Sequence, residues 1–535
     1  MPTRRSQAAL TRRRFLGHLG AIGGSSLVMT AMTSWDLMAG QAGERPQLTG
    51  RPREARVIVI GAGTSGLVTA YELGKLGYNV RILEARDRVG GLAWTIRRGS
   101  EHTEVDDVRD RIAPGFSAVD VRSLGKGERQ VCTFDEGQHL NVGAWRIPYT
   151  HTGILNYCKE LGVPLQIFVN ESDASYFFYE GSGPLSNRRV RLREIKADII
   201  GHTNELLIKA IDQRSLDLPL TDEDKQRFVN FLIAQGYLDA ADHRYKAFAH
   251  RGPGDPYAFS ELLQSGFGGR MRSIPLRDGT QAAPMFHPVG GMDQIALAFH
   301  RAIGSGHFTL NADVQSVHQD TGGVKIVFTN TKSGAKSEVS ADYAVVCMPF
   351  SVLAGVDINL SPEMMEAVRA TTYSNSAKVA LAMKRRFWEE DDEIFGGHLY
   401  SNLPIGELSY PSSDYFSKKG VLLGLYANGP IGDLLEQPVR ARIEHVVTHA
   451  SKVHPQIREE FESGYAVWWK KVKYSLGGFA SGAPPARRAQ FAKADNRIVL
   501  GSAAVAPYSE PDWQEGAVAA AWQALKLLHD RAMRA

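Results

Sequence analysis

From Arg56 to Gly91 the chain reads RVIVIGAGTSGLVTAYELGKLGYNVRILEARDRVGG, and this stretch decides the fold. Val57 to Ile60 is an apolar, β-branched run of the kind that forms a buried parallel strand, and Val80 to Leu83 is a second. A Gly-rich turn and an amphipathic helix join them, which makes one βαβ unit. Gly61 permits the tight turn, Gly63 lets the backbone approach a pyrophosphate, and Gly66 lets the helix pack closely. The first helical residues, Thr64 and Ser65, then turn free N–H groups toward the phosphates. Glu84 ends the second strand 18 residues after Gly66. A carboxylate there accepts hydrogen bonds from ribose hydroxyls and disfavours a 2′-phosphate.

The rest of the sequence bounds what this unit can serve. A chain of 535 residues, 43% hydrophobic and 22% charged, folds as two or three regions sharing an interface, where a substrate pocket can lie. The formal charge of +4 resides in residues 1–43, which carry Arg4, Arg5, Arg12, Arg13 and Arg14 against Asp36. The remainder is neutral, which argues against a nucleic-acid surface. Cys132, Cys158 and Cys347 form neither a disulfide framework nor a metal motif, and no CxxC or HExxH spacing occurs, so no metal is expected. At the N-terminus Arg12-Arg13-Arg14-Phe15-Leu16 precedes a Gly-rich apolar stretch and small residues near Ala39 to Ala42. This order, basic then apolar then small, resembles a twin-arginine export signal over 1–43 rather than a stable membrane anchor. The expectation is export to the periplasm or secretion, already folded and carrying its cofactor.

After Glu84 the sequence continues Ala85-Arg86-Asp87-Arg88-Val89-Gly90-Gly91, a second glycine pair directly behind the ribose-binding acid. With it the chain resembles the flavin amine oxidase family, nearest in its motifs to FAD-dependent L-amino acid oxidases. The likeness runs from about 56 to 530. It takes in Phe286 to Asp293, Asn311-Ala312-Asp313-Val314, Ala344 to Pro349, Arg497 to Gly501 and Trp513-Gln514-Glu515-Gly516-Ala517. It implies FAD held by Gly61, Gly63, Thr64, Ser65 and Gly66, then by Glu84, Ala85 and Arg86 at the ribose and by Val314 at the adenine. Nearer the flavin it implies Gly91, Leu92, Gly143, Ala144, Trp145 and Arg146, and from the C-terminal part Gly501, Ser502, Trp513, Gln514 and Ala517. Two positions depart from the family. Leu92 stands where an Arg follows the glycine pair, and Gly501-Ser502-Ala503 stands where Gly-Glu-His is usual. Losing a charge-assisted contact commonly costs about 1.5–3 kcal/mol, enough to weaken cofactor affinity.

Four residues carry the chemistry that the resemblance implies. Arg146 closes the segment Phe134 to Pro148 in the place where amino-acid oxidases grip the substrate carboxylate, for which a guanidinium offers two parallel donors. The plainer reading of Arg146 is a surface charge or a pair with Asp135. Tyr410, before Pro411, matches a tyrosine that donates to the same carboxylate, or else is a core aromatic. Lys378 matches a lysine bonded through water to flavin N5, where an ammonium favours O₂ reduction, or else is structural. Trp513 walls the substrate side chain, with Trp468 and Trp469 as further candidates, and Asp512 stands where the family tends to have Gly.

The expected fold is α/β. It comprises a doubly wound FAD-binding domain from 52–103, 284–350 and 490–535, a mixed-sheet substrate domain from 130–170 and 351–489, a helical domain over 171–283 and an inserted loop over 104–129. The reaction implied is oxidative deamination of an L-amino acid by FAD and O₂ to a 2-oxo acid, ammonia and hydrogen peroxide. Small molecules are the expected partners, with homo-oligomerisation left open. A 2-monooxygenase, an oxidase of non-carboxylated amines and a partner-dependent flavoprotein stay open as alternatives.

Overall fold

The computed structural model describes residues 44–50, 54–106, 120–212, 221–246, 251, 254–267, 284–429, 431, 433–480, 489–507 and 513–534. The export segment 1–43 and Asp512 lie outside the described residues.

Five parallel strands form the sheet that the βαβ reading requires. Their order is Phe308–Thr309, Asn79–Leu83, Arg56–Ile60, Tyr343–Val346, Ile498–Leu500. The strands are apolar on both faces because both faces are covered. On one face Val57, Val59, Ile82 and Val345 pack with residues of the helices Thr64–Lys75, Asp293–Ile303 and Gln514–Ala532. On the other, Ile58, Ile60, Val346 and Leu500 meet the sheet built from Ala312–Gln319, Val324–Asn330 and Lys336–Ala341. Full burial of each such side chain is worth about 1.5–3 kcal/mol. The Thr64–Lys75 helix starts directly at the glycine turn. A Cβ on Gly66 would stand 1.9 Å from the Gly61 carbonyl oxygen, so a glycine there is a packing requirement.

A seven-stranded mixed sheet faces this unit, in the order Phe461–Trp468, Ala377–Met383, Gly420–Ala427, Glu407–Ser409, His398–Ser401, Tyr176–Phe178, Val190–Arg191. Alternation divides its side chains cleanly. Val379, Leu381, Leu408, Tyr410, Leu422 and Trp468 enter a core against the Val439–Ala450 helix. Ala380, Ala382, Leu423, Tyr426 and Val467 pack on the opposite face with Trp94, Val142, Trp145 and Trp469. The helices expected beyond residue 171 are Leu192–Asp212 and Asp222–Ala234, and the short Phe259–Gln264 follows them. Part of the stretch expected as an inserted loop is ordered differently, because Lys126–Val131 pairs with Glu101–Val105 as an antiparallel ribbon. No helix among the described residues is long and apolar enough to cross a membrane.

Candidate active site

A cavity of about 520 Å³ runs from the carboxyl ends of the parallel strands to the Trp145 face of the seven-stranded sheet. Its phosphate end is the glycine turn. Gly61, Gly63, Thr64 and Ser65 line it, whereas Gly66 and Gly501 stand behind the wall and shape it. The Ser65 hydroxyl donates to the Gly501 carbonyl, which ties the helix start to the last parallel strand. Ser502 and Ala517 line the same region with Gln514, whose Oε1 is buried without a hydrogen-bond partner.

The ribose end is built on Glu84. Its carboxylate accepts from the Ala62 N–H at 2.8 Å and the Arg86 N–H at 2.9 Å, which braces the strand end against the turn. Ala85, Arg86 and Val314 line the cavity beside it. The Arg86 guanidinium donates to the Lys473 carbonyl at 2.7 Å and the Ser475 hydroxyl at 2.8 Å. Burial lowers its pKa from the ordinary value, so an anion at this end would relieve a desolvated cation.

At the far end Gly91, Leu92, Gly143, Ala144, Trp145, Arg146 and Trp513 line the cavity. The Arg146 guanidinium carbon is 4.7 Å from the Trp145 ring centre and 5.8 Å from that of Trp513. A planar cation stacked on rings is held in one orientation, and its edge has the geometry that pairs with a planar anion. Trp513 is set by its neighbours. The His151 ring meets it edge-on at 5.0 Å, and the next carboxylate, Glu515, accepts from the Gly153 and Ile154 N–H groups at 2.8 and 2.9 Å. Trp469 lines the cavity and its Nε1–H donates to the Val142 carbonyl, but Trp468 lies on the opposite sheet face.

Two expectations change at this end. Tyr410 does not reach the cavity. Its strand alternates, so Tyr410 follows Leu408 into the helix-covered core, where its hydroxyl is 2.7 Å from His454 Nε2. Tyr426, whose ring is 5.7 Å from that of Trp145, lines the cavity at this end. Lys378 lies just beneath the wall, fully buried, and donates to the carbonyls of Asn141 at 3.2 Å and Gly143 at 2.7 Å. Burial first, and then Arg146, push its pKa well below the ordinary lysine range. Its visible action is to hold the backbone that carries Trp145 and Arg146.

Sequence reasoning missed Glu407, Tyr373 and Tyr474 as lining residues. Alternation along Glu407-Leu408-Ser409-Tyr410 marks Glu407 as facing away from Tyr410, a signal that needs the buried face to be known first. Tyr373 accepts from the Phe350 N–H at 2.8 Å, and the Ser502 side chain is bonded to the same oxygen.

A glycine turn at a helix start, a strand-end carboxylate, a buried arginine and an orphaned amide oxygen around one long cavity are the fittings for a dinucleotide that ends in a redox-active ring. The fold and site thus define a flavin-dependent oxidoreductase. The family model for flavin-containing amine oxidoreductases matches residues 131–524, and that for NAD(P)-binding Rossmann-like domains matches 59–117. The chain belongs to the flavin-containing amine oxidoreductase family, and FAD is its cofactor. The chain is similar to the L-amino-acid oxidase of Demansia vestigiata, 25% identical over 80% of this chain and 78% of the relative. It is 24% identical to that of Pseudechis australis, over 82% and 79%. Among solved structures, cyclohexylamine oxidase from Brevibacterium oxydans aligns at TM-score 0.57 and 17% identity, covering 90% of this chain and 100% of that one. A putrescine oxidase variant aligns at 0.56 and 18%, covering 90% and 99%, and both show the fold.

Proposed function

We propose that this FAD-dependent enzyme oxidises an L-α-amino acid to the 2-oxo acid and ammonia, with O₂ reduced to hydrogen peroxide. The observation that carries the reading is Arg146, placed in the cavity wall between Trp145 and Trp513. Bound FAD supplies the acceptor for the two electrons. The chain's own residues bind and orient. Arg146 takes the carboxylate, Lys378 fixes the backbone on which Arg146 rides, and Trp513 and Trp469 wall the side chain. Such orientation is worth several kcal/mol of a barrier. The L-amino-acid oxidases among the relatives support the same reading. Oxidation of a simple amine is the second reading, favoured by the Glu407 carboxylate in the same half of the cavity.

Peroxide release from a panel of L-amino acids and their decarboxylated amines separates the two. Arg146→Met keeps much of the apolar stem and removes both donors. Truncating one side of a buried charge pair costs about 2–5 kcal/mol, a roughly 30- to several-thousand-fold loss in kcat/KM for amino acids. Wild-type turnover of the amines as well as the acids, or an Arg146→Met variant as active as wild type on acids, refutes the reading. We also propose export by the twin-arginine route, from Arg12-Arg13 before Phe15-Leu16. Replacing both arginines with lysine then retains the precursor in the cytoplasm, and unchanged delivery overturns that assignment.

A further inference from the structure

One side of the cavity is walled by residues 469–480, of which Trp469, Tyr474, Ser475, Gly478, Phe479 and Ala480 line it. Between Trp469 and Phe479 the segment belongs to no strand. Two of its residues, Tyr474 at φ 64° and Leu476 at φ 49°, take the left-handed conformation without being glycine. Such backbone persists only where its surroundings impose it. Part of the hold comes from the cavity wall. Arg86 donates to the Lys473 carbonyl and the Ser475 hydroxyl, and the Ser351 hydroxyl donates to the Ser475 carbonyl at 2.7 Å. The rest comes from the stretch expected as an inserted loop. Val105, Val121 and Leu124 close a small apolar cluster with Leu476 and Tyr474 of the segment and with Met348 and Val352 of the adjoining wall. Glu104, buried in the same ribbon, pairs with Arg442 at 2.6 and 2.8 Å and reaches Lys471 of the segment at 3.6 Å. Arg442 belongs to the Val439–Ala450 helix, so the ribbon is tied to the substrate side while it packs on the segment.

We propose that this ribbon, Glu101–Val105 paired with Lys126–Val131 and continued by Val121 and Leu124, is a cap that holds residues 470–479 closed over the adenosine end of the cavity and so sets how slowly FAD leaves. The inference needs only that FAD is the cofactor, and is indifferent to whether an amine or an amino acid is oxidised. Elsewhere at this end the wall is made of Ile60, Leu83 and Glu84 at the ends of parallel strands and of Ala312 to Val314 in a paired strand, where opening would break a ladder. The 470–479 segment can lift without breaking one, and lifting frees Tyr474 and Leu476 from their left-handed backbone. Strain therefore favours opening, and the contacts with Arg86 and the cap oppose it. Weakening the cap raises the open fraction and leaves the substrate half of the cavity as it is.

Release is read as the rise in free-flavin fluorescence after the FAD-loaded enzyme is diluted far below its loading concentration. Val121→Ala combined with Leu124→Ala trims the apolar cluster, and Lys471→Met removes the segment's charge from Glu104 while Arg442 still pairs with it. The first is expected to speed release about tenfold or more and the second about threefold or more, with kcat at saturating FAD within about twofold of wild type. Tyr410→Phe, which weakens a buried bond touching neither ribbon nor segment, controls for general instability and should leave release within about twofold. Unchanged release in both cap variants overturns the proposal, whether the common rate is fast or too slow to detect. So does an equal acceleration by Tyr410→Phe at a matched loss of melting temperature. If the double variant fails to fold, Lys471→Met decides by the same criterion.

Discussion

Gly143→Ala is the sharpest test of how the cavity is built. Gly143 sits where two cavity-lining segments cross. The Ala144 N–H donates to the Leu92 carbonyl at 3.1 Å, and the Gly143 carbonyl accepts from Lys378 at 2.7 Å. A Cβ at Gly143 would lie 1.7 Å from the Leu92 oxygen, 2.8 Å from its carbonyl carbon and 3.0 Å from a Trp469 ring carbon. Non-bonded contacts settle near about 3.5 Å, so one backbone must retreat by roughly 1.5 Å or more. The obstacle is main chain and no rotamer change relieves it. Overpacking of this kind costs about 1–3 kcal/mol. The strain falls between Leu92 and Gly143, so it should weaken FAD binding by about 5- to 150-fold. Arg146 lies three residues further on, and a 1 Å misplacement of a binding group costs about 100-fold in rate. Flavin fluorescence titration of the apoprotein and a thermal melt read both effects. Gly74→Ala is the control, since nothing stands within 4 Å of a Cβ there, and it should stabilise by about 0.4–1 kcal/mol. A Gly143→Ala protein that binds FAD within twofold of wild type and melts at the same temperature refutes the reasoning.

Tyr410→Phe should lower the melting temperature, because it leaves the fully buried His454 Nε2 without its partner at a cost of about 1–3 kcal/mol, and should leave KM for amino acids unchanged. A raised KM with unchanged stability would return Tyr410 to the substrate site. Glu160→Gln should flatten the acid limb of the stability curve. Arg45 first, then Lys75 and Tyr71, lower the Glu160 pKa from 4.5 to about 2 in the folded state. Its contribution is therefore complete above about 4.5 and is lost as pH falls toward 2. With the carboxylate partly exposed the effect is at most about 1 kcal/mol, measured by denaturant unfolding between pH 2 and 6.

What the sequence made legible was local. The glycine turn, its helix and Glu84 are fixed by spacing within 30-odd residues, and they stand in the structure as read. Arg146 was legible for the same reason, as the end of one continuous segment. The substrate side was harder because it depends on which face of a sheet looks at the cofactor. Glu407 and Tyr410 are three residues apart on an alternating run and so must point to opposite faces. Only the Val439–Ala450 helix, 30 residues downstream, decides that Leu408 and Tyr410 are the buried pair and Glu407 the one in the cavity. Lys378 shows the same dependence. Its parity with Ala380 and Ala382 puts it on the cofactor side, yet the carbonyls of Asn141 and Gly143 hold its ammonium below the surface.

The two departures from the family pattern acquire a physical meaning from the same geometry. At Leu92 the working group is the carbonyl, which accepts from Ala144 and abuts Gly143, so that position shapes the wall through its backbone. Ser502 is bonded to the Tyr373 hydroxyl, whose oxygen also accepts from the Phe350 N–H. At Ser502 neutral hydroxyls therefore stand where a charged side chain is usual. Arg86, a buried cation at the adenosine end, donates to two neutral acceptors and lies 4.0 Å from the Glu84 carboxylate. A neutral donor contributes less than a charged one, about 0.5–1.5 kcal/mol against 1.5–3.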